Sequence, residues 1–395
     1  MAAGEGNRMR PLTENRPKVM LPFAGKPMLE HLLTQCRLAG ISDFIFVVGY
    51  HAEKIREYFK DGAAWGVRIR YVSQPQPQGT ADAVRHALPM LSGSFMVLNG
   101  DVVLRAADLV PMCRAVIPTI GIIEMADVSG MGVVETSNGC VTRLYEKTSN
   151  PPTRLVNTGC YFFTPEIYAA IAATPRSIRG EYEITDTIQY MIDAGLGVGY
   201  HFAATWRDIG YPWNLLAAGE DCLAGLANDV SGQIETGVVI KGPVHVGEGS
   251  VVKAGSYITG PVIIGKNCDI GPNCYLRTGT TIGDHCHIGA GVEIKNSIIM
   301  NNTRIPHLTY VGDSIIGENC NLGAGTQIAN LRFDGKNIQV EGRDSGRRKF
   351  GAVLGDQVST GVNTSINPGT FIGGGTRIGP GSLVSGYIAP GSRIF

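Results

Sequence analysis

From Ile240 the chain places an aliphatic residue at every sixth position: Val246, Val252, Ile258, Ile264, Ile270, Leu276, Ile282, Ile288 and Ile294, then Met300. A helix repeats near 3.6 residues and a strand at 2, so neither produces this beat. A hexapeptide solenoid does: three six-residue strands close one triangular coil, and each coil stacks its aliphatic positions on those of the last. The beat stops after Met300, resumes at Ile316, Leu322 and Ile328, and returns at Leu354, Ile366, Ile372, Ile378 and Val384. The first gap, 301–315, holds the string PHLTYVGD; the second, 329–353, holds Asp344-Ser345-Gly346-Arg347-Arg348-Lys349. Both gaps are expected to leave the coil register, and segments that project from a rigid scaffold are where ligands are usually met.

Four cysteines, Cys268, Cys274, Cys286 and Cys320, each stand four residues after an aliphatic position, where a coil needs a small inward side chain. Packing is their expected role; Cys268 and Cys286 should stack on adjacent coils, yet a disulfide is not expected in a reducing compartment. His285-Cys286-His287 resembles a metal motif only superficially. Strand alternation turns both imidazoles outward and the thiol inward, so no shared ion is expected there.

Ahead of the repeats, residues 1 to about 215 alternate strand and helix signals. A helix is expected around 27–39, a buried strand at 44–48, and another at 95–98 running into Asn99-Gly100-Asp101. Such alternation predicts an α/β layer with a mostly parallel sheet and ligands at the C-terminal ends of its strands. Residues 214–229 read as a connecting helix and 230–395 as the solenoid. Basic and acidic residues balance at 34 each, which gives no general attraction to nucleic acid or to a membrane surface. No stretch approaches the roughly 20 apolar residues of a membrane span, and a soluble cytoplasmic protein is expected.

The string AAGEGNRMRPLTENRPKVMLPFAGKP, residues 2–27, joins a Gly-rich turn to Arg8 and Lys18. Glycines let backbone N–H groups approach phosphate oxygens, and the two cations neutralise charge that backbone dipoles alone do not. It lacks the Gly-Lys-Ser/Thr of a Walker loop and is not a dinucleotide fingerprint. The string resembles the signature of the sugar-1-phosphate nucleotidylyltransferases, which implies a Rossmann-like nucleotidyltransferase domain over 1–213. By that resemblance Arg8 holds the leaving pyrophosphate and Lys18 the α-phosphate under attack. Ala3, Gly4, Gly6, Gln74, Gly79 and Thr80 match nucleotide-binding positions. Gly132, Glu146, Lys147, Asn157 and Thr158 match the sugar-phosphate site, and Asp101 and Asp208 match ligands of Mg2+. In-line attack of a sugar-phosphate oxygen on the α-phosphorus needs positioning and charge neutralisation, with no protein nucleophile. In that family an apolar strand precedes the Gly-rich turn at the centre of the sheet. Here the turn begins at Met1, and the expectation is that upstream codons supply that strand.

The first gap, together with Val292-Glu293-Ile294-Lys295-Asn296-Ser297, is similar to the acetyltransferase half of the bacterial bifunctional enzymes that make UDP-N-acetylglucosamine. Ser345-Gly346-Arg347-Arg348-Lys349-Phe350-Gly351-Ala352 and the overall length are closer to archaeal bifunctional counterparts. The implied fold is a left-handed parallel β-helix that assembles as a trimer, with acetyl-CoA bound between neighbours. His307 is implied as the general base on the sugar amine, since an imidazole titrates near neutrality. Arg277 and Lys295 match cations on the sugar phosphate, Tyr310, Asn321, Asn330 and Lys336 groups around the sugar and reacting centre, and Ala324 a backbone contact to the thioester. Arg347, Arg348 and Lys349 read either as a solvated charge run or as partners of the CoA phosphates. The expected activity is N-acetylation of glucosamine-1-phosphate followed by uridylyl transfer from UTP. A single nucleotidylyltransferase using UTP or dTTP and glucose-1-phosphate, with an inert oligomerising solenoid, is the alternative.

Overall fold

The computed structural model describes residues 1–146 and 148–395; Lys147, expected in the sugar-phosphate site, lies outside the described residues. The chain divides into two compact units. The first comprises 1–5, 17–20 and 28–208; the second comprises 6–16, 21–27 and 209–395. Most of the signature turn, including Arg8, thus packs with the repeat half, whereas Lys18 packs with the first unit. No helix among the described residues is long and apolar enough to cross a membrane.

In the first unit a six-stranded sheet runs in the order Phe95–Leu98, Leu155–Phe163, Thr119–Glu124, Gly199–Phe202, Cys140–Tyr145, Val133–Ser137. Its pairings are mainly antiparallel, and only Thr119–Glu124 with Gly199–Phe202 is parallel. The expectation of a mostly parallel sheet was therefore too simple. Helices do separate the early strands, but from Thr119 to Phe163 four strands follow one another with no helix among the described residues, and such segments can fold back antiparallel. Asp43–Val48 pairs parallel with Arg68–Ser73 in a separate ribbon.

Between that ribbon and the main sheet lies a cavity of about 430 Å3, walled by Leu29, Leu33, Phe44, Phe46, Met96 and Val97 among others. Asp43–Val48 and Phe95–Leu98 each have a named strand partner on one side only. Met1–Ala3 closes one end of the slot. The Met1 α-amino group donates to Leu98 O at 2.7 Å, Ala2 N donates to Val47 O at 2.8 Å, and Gly100 N donates to Met1 O at 2.8 Å. Burial pulls the Met1 ammonium down to about 6, against the attraction of Asp101.

The second unit is a parallel β-solenoid of three faces, with nine, nine and eight strands. The aliphatic beat forms its core: Val246, Val252, Ile258, Ile264, Ile270, Leu276, Ile282, Ile288 and Ile294 are all fully buried, and Cys268, Cys274, Cys286 and Cys320 pack among them. The first gap does not leave the coil, contrary to the expectation from the sequence. Ile299, Ile305, Val311 and Ile316 continue the core, and Ile299 pairs with Ile282, Ile305 with Ile288 and Val311 with Ile294. The steps 294 to 299 and 311 to 316 are five residues, so a strict six-residue count loses the frame while the coil stays closed. The second gap is a true excursion. After Gln327–Ile328 the next core strand is Ala352–Leu354, and between them Gln339–Val340 and Arg343–Asp344 form an antiparallel hairpin.

Candidate functional sites

In the first unit, Lys18 is buried and its Nζ lies 2.5 Å from Asp101 Oδ2. Burial pushes the Asp101 carboxyl up, but the Lys18 ammonium and the hydrogen bond between them outweigh it and hold the group below the usual carboxylate range. The strand Trp206–Asp208 pairs antiparallel with Val102–Leu104, which puts Asp208 opposite Val102, the residue after Asp101. The two expected metal carboxylates, far apart in sequence, therefore come from adjoining strand ends. Two hard oxygen donors suit Mg2+, which takes one or two carboxylates together with phosphate oxygens and water.

Gln74 is buried, with its amide donating to Asp82 Oδ2 at 2.8 Å and to Gly79 O at 3.2 Å. Gly79 has φ +108 and sits under the Tyr182 backbone, where a side chain would collide. Thr80 starts the following helix and accepts from Ile184 N at 2.9 Å. Ala3 O accepts from Tyr50 N at 3.2 Å, so the opening turn runs past the end of Asp43–Val48. A third group faces the long strand Leu155–Phe163. A Cβ on Gly132 would come within 3.1 Å of Glu146 Oε2, Asn157 N donates to Gly132 O at 2.9 Å, and Asn157 Nδ2 donates to Tyr161 OH at 2.8 Å. Thr158 is turned away from this group: it is buried, and its hydroxyl donates to Gly121 O at 2.8 Å. Arg179, 3.5 Å from Glu146, joins the group and was not expected from the sequence.

Arg8 lies in the second unit, its guanidinium carbon 5.2 Å from the centre of the Tyr211 ring. Gly6, with φ +69, opens the short 3-10 turn that carries it.

On the solenoid, register does the assembling. Arg277 pairs with Lys295 one coil above, and Glu293 with Tyr310 one coil further. Arg277 Nη1 lies 2.7 Å from Glu293 Oε1, and Lys295 Nζ lies 2.8 Å from Asp313 Oδ2. Asn330 enters from the start of the excursion, donating to Asp313 Oδ2 at 2.5 Å and to Tyr310 OH at 3.2 Å. Burial first, then the Asp313 and Glu293 charges, raise the Tyr310 hydroxyl above its ordinary value. His307 is exposed at the end of the strand Arg304–His307, level with Ala290 in the preceding coil of the same face. Its carbonyl accepts from Gly325 N at 3.1 Å, which brings the turn containing Ala324 alongside. Asn321 is exposed on that same face, opposite Arg304. The Lys336 side chain is exposed on the excursion, and its backbone N–H donates to Asp334 Oδ1 at 3.1 Å. Asp313, buried and accepting from Lys295, Asn330 and Asn296, is the hub that sequence reasoning missed. Its signal was present, since it closes the PHLTYVGD string.

The family model for nucleotidyl transferases matches residues 1–225, that for the GMPPB C-terminal domain 258–367, and that for the hexapeptide repeat of succinyl-transferase 219–260. The "Bifunctional protein GlmU" of Methanocaldococcus jannaschii is 40% identical over all of this chain and 96% of its own length. The "Bifunctional sugar-1-phosphate nucleotidylyltransferase/acetyltransferase" of Sulfurisphaera tokodaii is 37% identical over 98% of this chain and 96% of its own. The chain belongs to this bifunctional nucleotidylyltransferase/acetyltransferase family. A crystal structure of a putative glucose-1-phosphate thymidylyltransferase from Bacillus anthracis shares its fold with 55% of the present chain over 91% of its own, with TM-score 0.51 and 24% identity.

Proposed function

We propose that the protein N-acetylates glucosamine-1-phosphate with acetyl-CoA and then transfers a uridylyl group from UTP to the product, releasing pyrophosphate. Uridylyl transfer is assigned to residues up to 213 and acetyl transfer to 230–395, joined by 214–229. Full-length similarity to bifunctional relatives supports both activities. The observation that carries the acetyl half is the cluster of Arg277, Lys295, Tyr310 and Asn330 in register on one solenoid face. A solenoid that only assembled subunits would have no need for two stacked cations beside a buried carboxylate hub. Those cations neutralise the sugar phosphate, and Asn330 and Tyr310 orient the ring. His307 accepts the amine proton as nitrogen attacks the thioester carbonyl, and passing it to the departing sulfur lets CoA leave as the thiol. Loose surface hydrophobics at Leu308, Leu331, Phe333 and Val362 fit a trimer in which a neighbouring solenoid covers them.

At the first site Lys18 offsets charge on the α-phosphate, and Arg8 charge on the departing pyrophosphate. Asp101 and Asp208 would hold Mg2+, which supplies neutralisation of the phosphate oxygens when bound. Gln74 with the Gly79 backbone reads the pyrimidine edge, and Gly132, Glu146 and Asn157 seat the sugar. Incubation with glucosamine-1-phosphate, acetyl-CoA and UTP under Mg2+, followed by mass analysis, tests the reading. UDP-N-acetylglucosamine, free CoA and pyrophosphate are expected. Pyrophosphate without CoA would leave the single-activity alternative standing.

A further inference from the structure

The signature turn is fastened to the solenoid by a buried ion cluster. Arg16 is 8% exposed. Its Nη2 lies 2.6 Å from Asp356 Oδ2 and 3.1 Å from Glu318 Oε2, and its Nη1 donates to Met300 Sδ at 2.9 Å. Asn15 Nδ2 also donates to Asp356 Oδ2, at 3.4 Å, and Asp356 Oδ1 accepts from Glu318 N at 2.9 Å. One coil on, Gly374 N donates to Glu14 Oε2 at 3.1 Å. The coils are glycine where the turn passes closest: a Cβ on Gly355 would stand 3.1 Å from Pro11 Cβ, and one on Gly374 2.8 Å from Glu14 Oε2. At the other end of the turn, Arg8 lies over Tyr211, whose ring also stacks on Trp213 with centroids 4.7 Å apart and carries the Arg343 guanidinium at 4.8 Å. Arg343 comes from the solenoid excursion.

From this geometry we infer that Asp356 and Glu318, two carboxylates of the repeat domain, are positioning residues for nucleotidyl transfer: through Arg16 they fix the turn 6–16 that presents Arg8. The inference rests on the reading that Arg8 holds the departing pyrophosphate. An arginine with two carboxylate partners and almost no exposure leaves the turn few alternative placements, because breaking a buried pair strands a charge. Small displacements of a phosphate-binding cation carry large costs in rate. The repeat domain thereby serves the first reaction in addition to carrying the second, and it does so within one chain.

Asp356→Asn keeps an oxygen for the Glu318 N–H and removes only the charge that faces Arg16. It is expected to lower kcat/KM for pyrophosphate release by about ten-fold, leave CoA release within about two-fold of the parent, and speed hydrogen exchange across 6–16. Arg16→Lys should keep more activity than Arg16→Gln. In an Arg8→Ala background the added cost of Asp356→Asn should shrink to about two-fold, because both act through one group. Parental pyrophosphate release and parental exchange in Asp356→Asn would overturn the inference, as would full additivity with Arg8→Ala. Should Asp356→Asn also lose CoA release, Arg16→Gln decides, since it leaves every solenoid residue in place; parental pyrophosphate release there overturns the inference. A parent protein that releases no pyrophosphate with any sugar phosphate refutes the underlying reading instead, and the exchange data still judge the anchor.

Discussion

The two units treat strand edges in opposite ways. In the solenoid each strand finds a partner in the coil above and the coil below, so edges remain only at the ends of the stack. In the first unit two edge strands, Asp43–Val48 and Phe95–Leu98, border a cavity of about 430 Å3 that Met1–Ala3 closes at one end. The contrast shows in how each site is held. Arg277 under Lys295, and Glu293 under Tyr310, meet because the coil repeat stacks them in two neighbouring columns of one face. Lys18 and Asp101 are joined by one ion pair, and Asp208 is brought alongside by the three-residue pairing of Trp206–Asp208 with Val102–Leu104. A repeat fold spreads the burden of alignment over many equivalent contacts, whereas a single-layer site depends on a few.

The largest expected effect comes from filling the slot. Five or six consecutive apolar residues joined to Met1 should pair with both free edges and bury side chains on both faces, against Leu29, Leu33, Phe44 and Met96 among others. Roughly 2 kcal/mol for each well-buried side chain, less the ordering of the added backbone, corresponds to a rise of about 10 °C in the transition of a unit this size. Calorimetry should show that transition moving while the solenoid transition stays, with faster pyrophosphate release; two unmoved transitions would mean that the slot is not a strand seat. Next in size is His307→Ala. Loss of a general base should cut CoA release by about 10²- to 10⁴-fold and leave pyrophosphate release from N-acetylglucosamine-1-phosphate and UTP intact. Equal loss of both activities would erase the division of labour between the units.

Why some of this was legible in sequence and some was not follows from particular residues. The beat at Ile240 to Ile294 exposed the solenoid because each coil repeats the same inward position. It failed at Ile299 and Ile316 because two turns are one residue shorter, and a fixed period does not register a shortened corner while the closed coil tolerates it. The cations Arg277 and Lys295 could be expected from motif resemblance, but Asp313 acquires its importance only when Lys295 and Asn296 from one coil and Asn330 from the start of the excursion converge on it. Arg16 and Asp356 are 340 residues apart, and nothing local to either position announces the pairing. The antiparallel order beyond Thr119 stayed hidden for the same reason, since strand signals mark edges and not partners.

Asp313→Ala tests whether the solenoid site is as firmly held as its register implies. It leaves the Lys295 ammonium and the Asn330 and Asn296 amides without their common acceptor. A cost of about 3 kcal/mol to the solenoid transition is expected, with a raised KM for the amino-sugar phosphate because Lys295 and Asn330 lose their orientation. The first-unit transition should not move. Asp313→Asn, which retains one oxygen, should lie between the two. A variant with parental stability and KM would show that coil register alone fixes the cations.

The smallest expected effect concerns Glu14, on the turn that the solenoid holds. Burial, as the larger influence, raises its carboxyl above the usual value despite the Gly374 N–H and the nearby Arg10. A raised pKa in the fold means that the folded chain binds this proton more tightly than the unfolded chain. The stability it contributes is therefore complete below the ordinary carboxylate pKa and is lost as pH rises through the elevated folded value. Glu14→Gln keeps an oxygen for the Gly374 N–H and carries no charge at any pH. At neutral pH it should melt slightly above the parent, by no more than about 2 °C, and the difference should vanish near pH 4, where the parent carboxyl is protonated. A variant that is less stable than the parent at pH 7 would show that the charge itself, and not merely the hydrogen bond, fastens the turn to the coil. The turn would then be held by charge at both Glu14 and Arg16, and raised salt should loosen the half-buried Glu14 contact before it touches the more deeply buried Arg16 cluster.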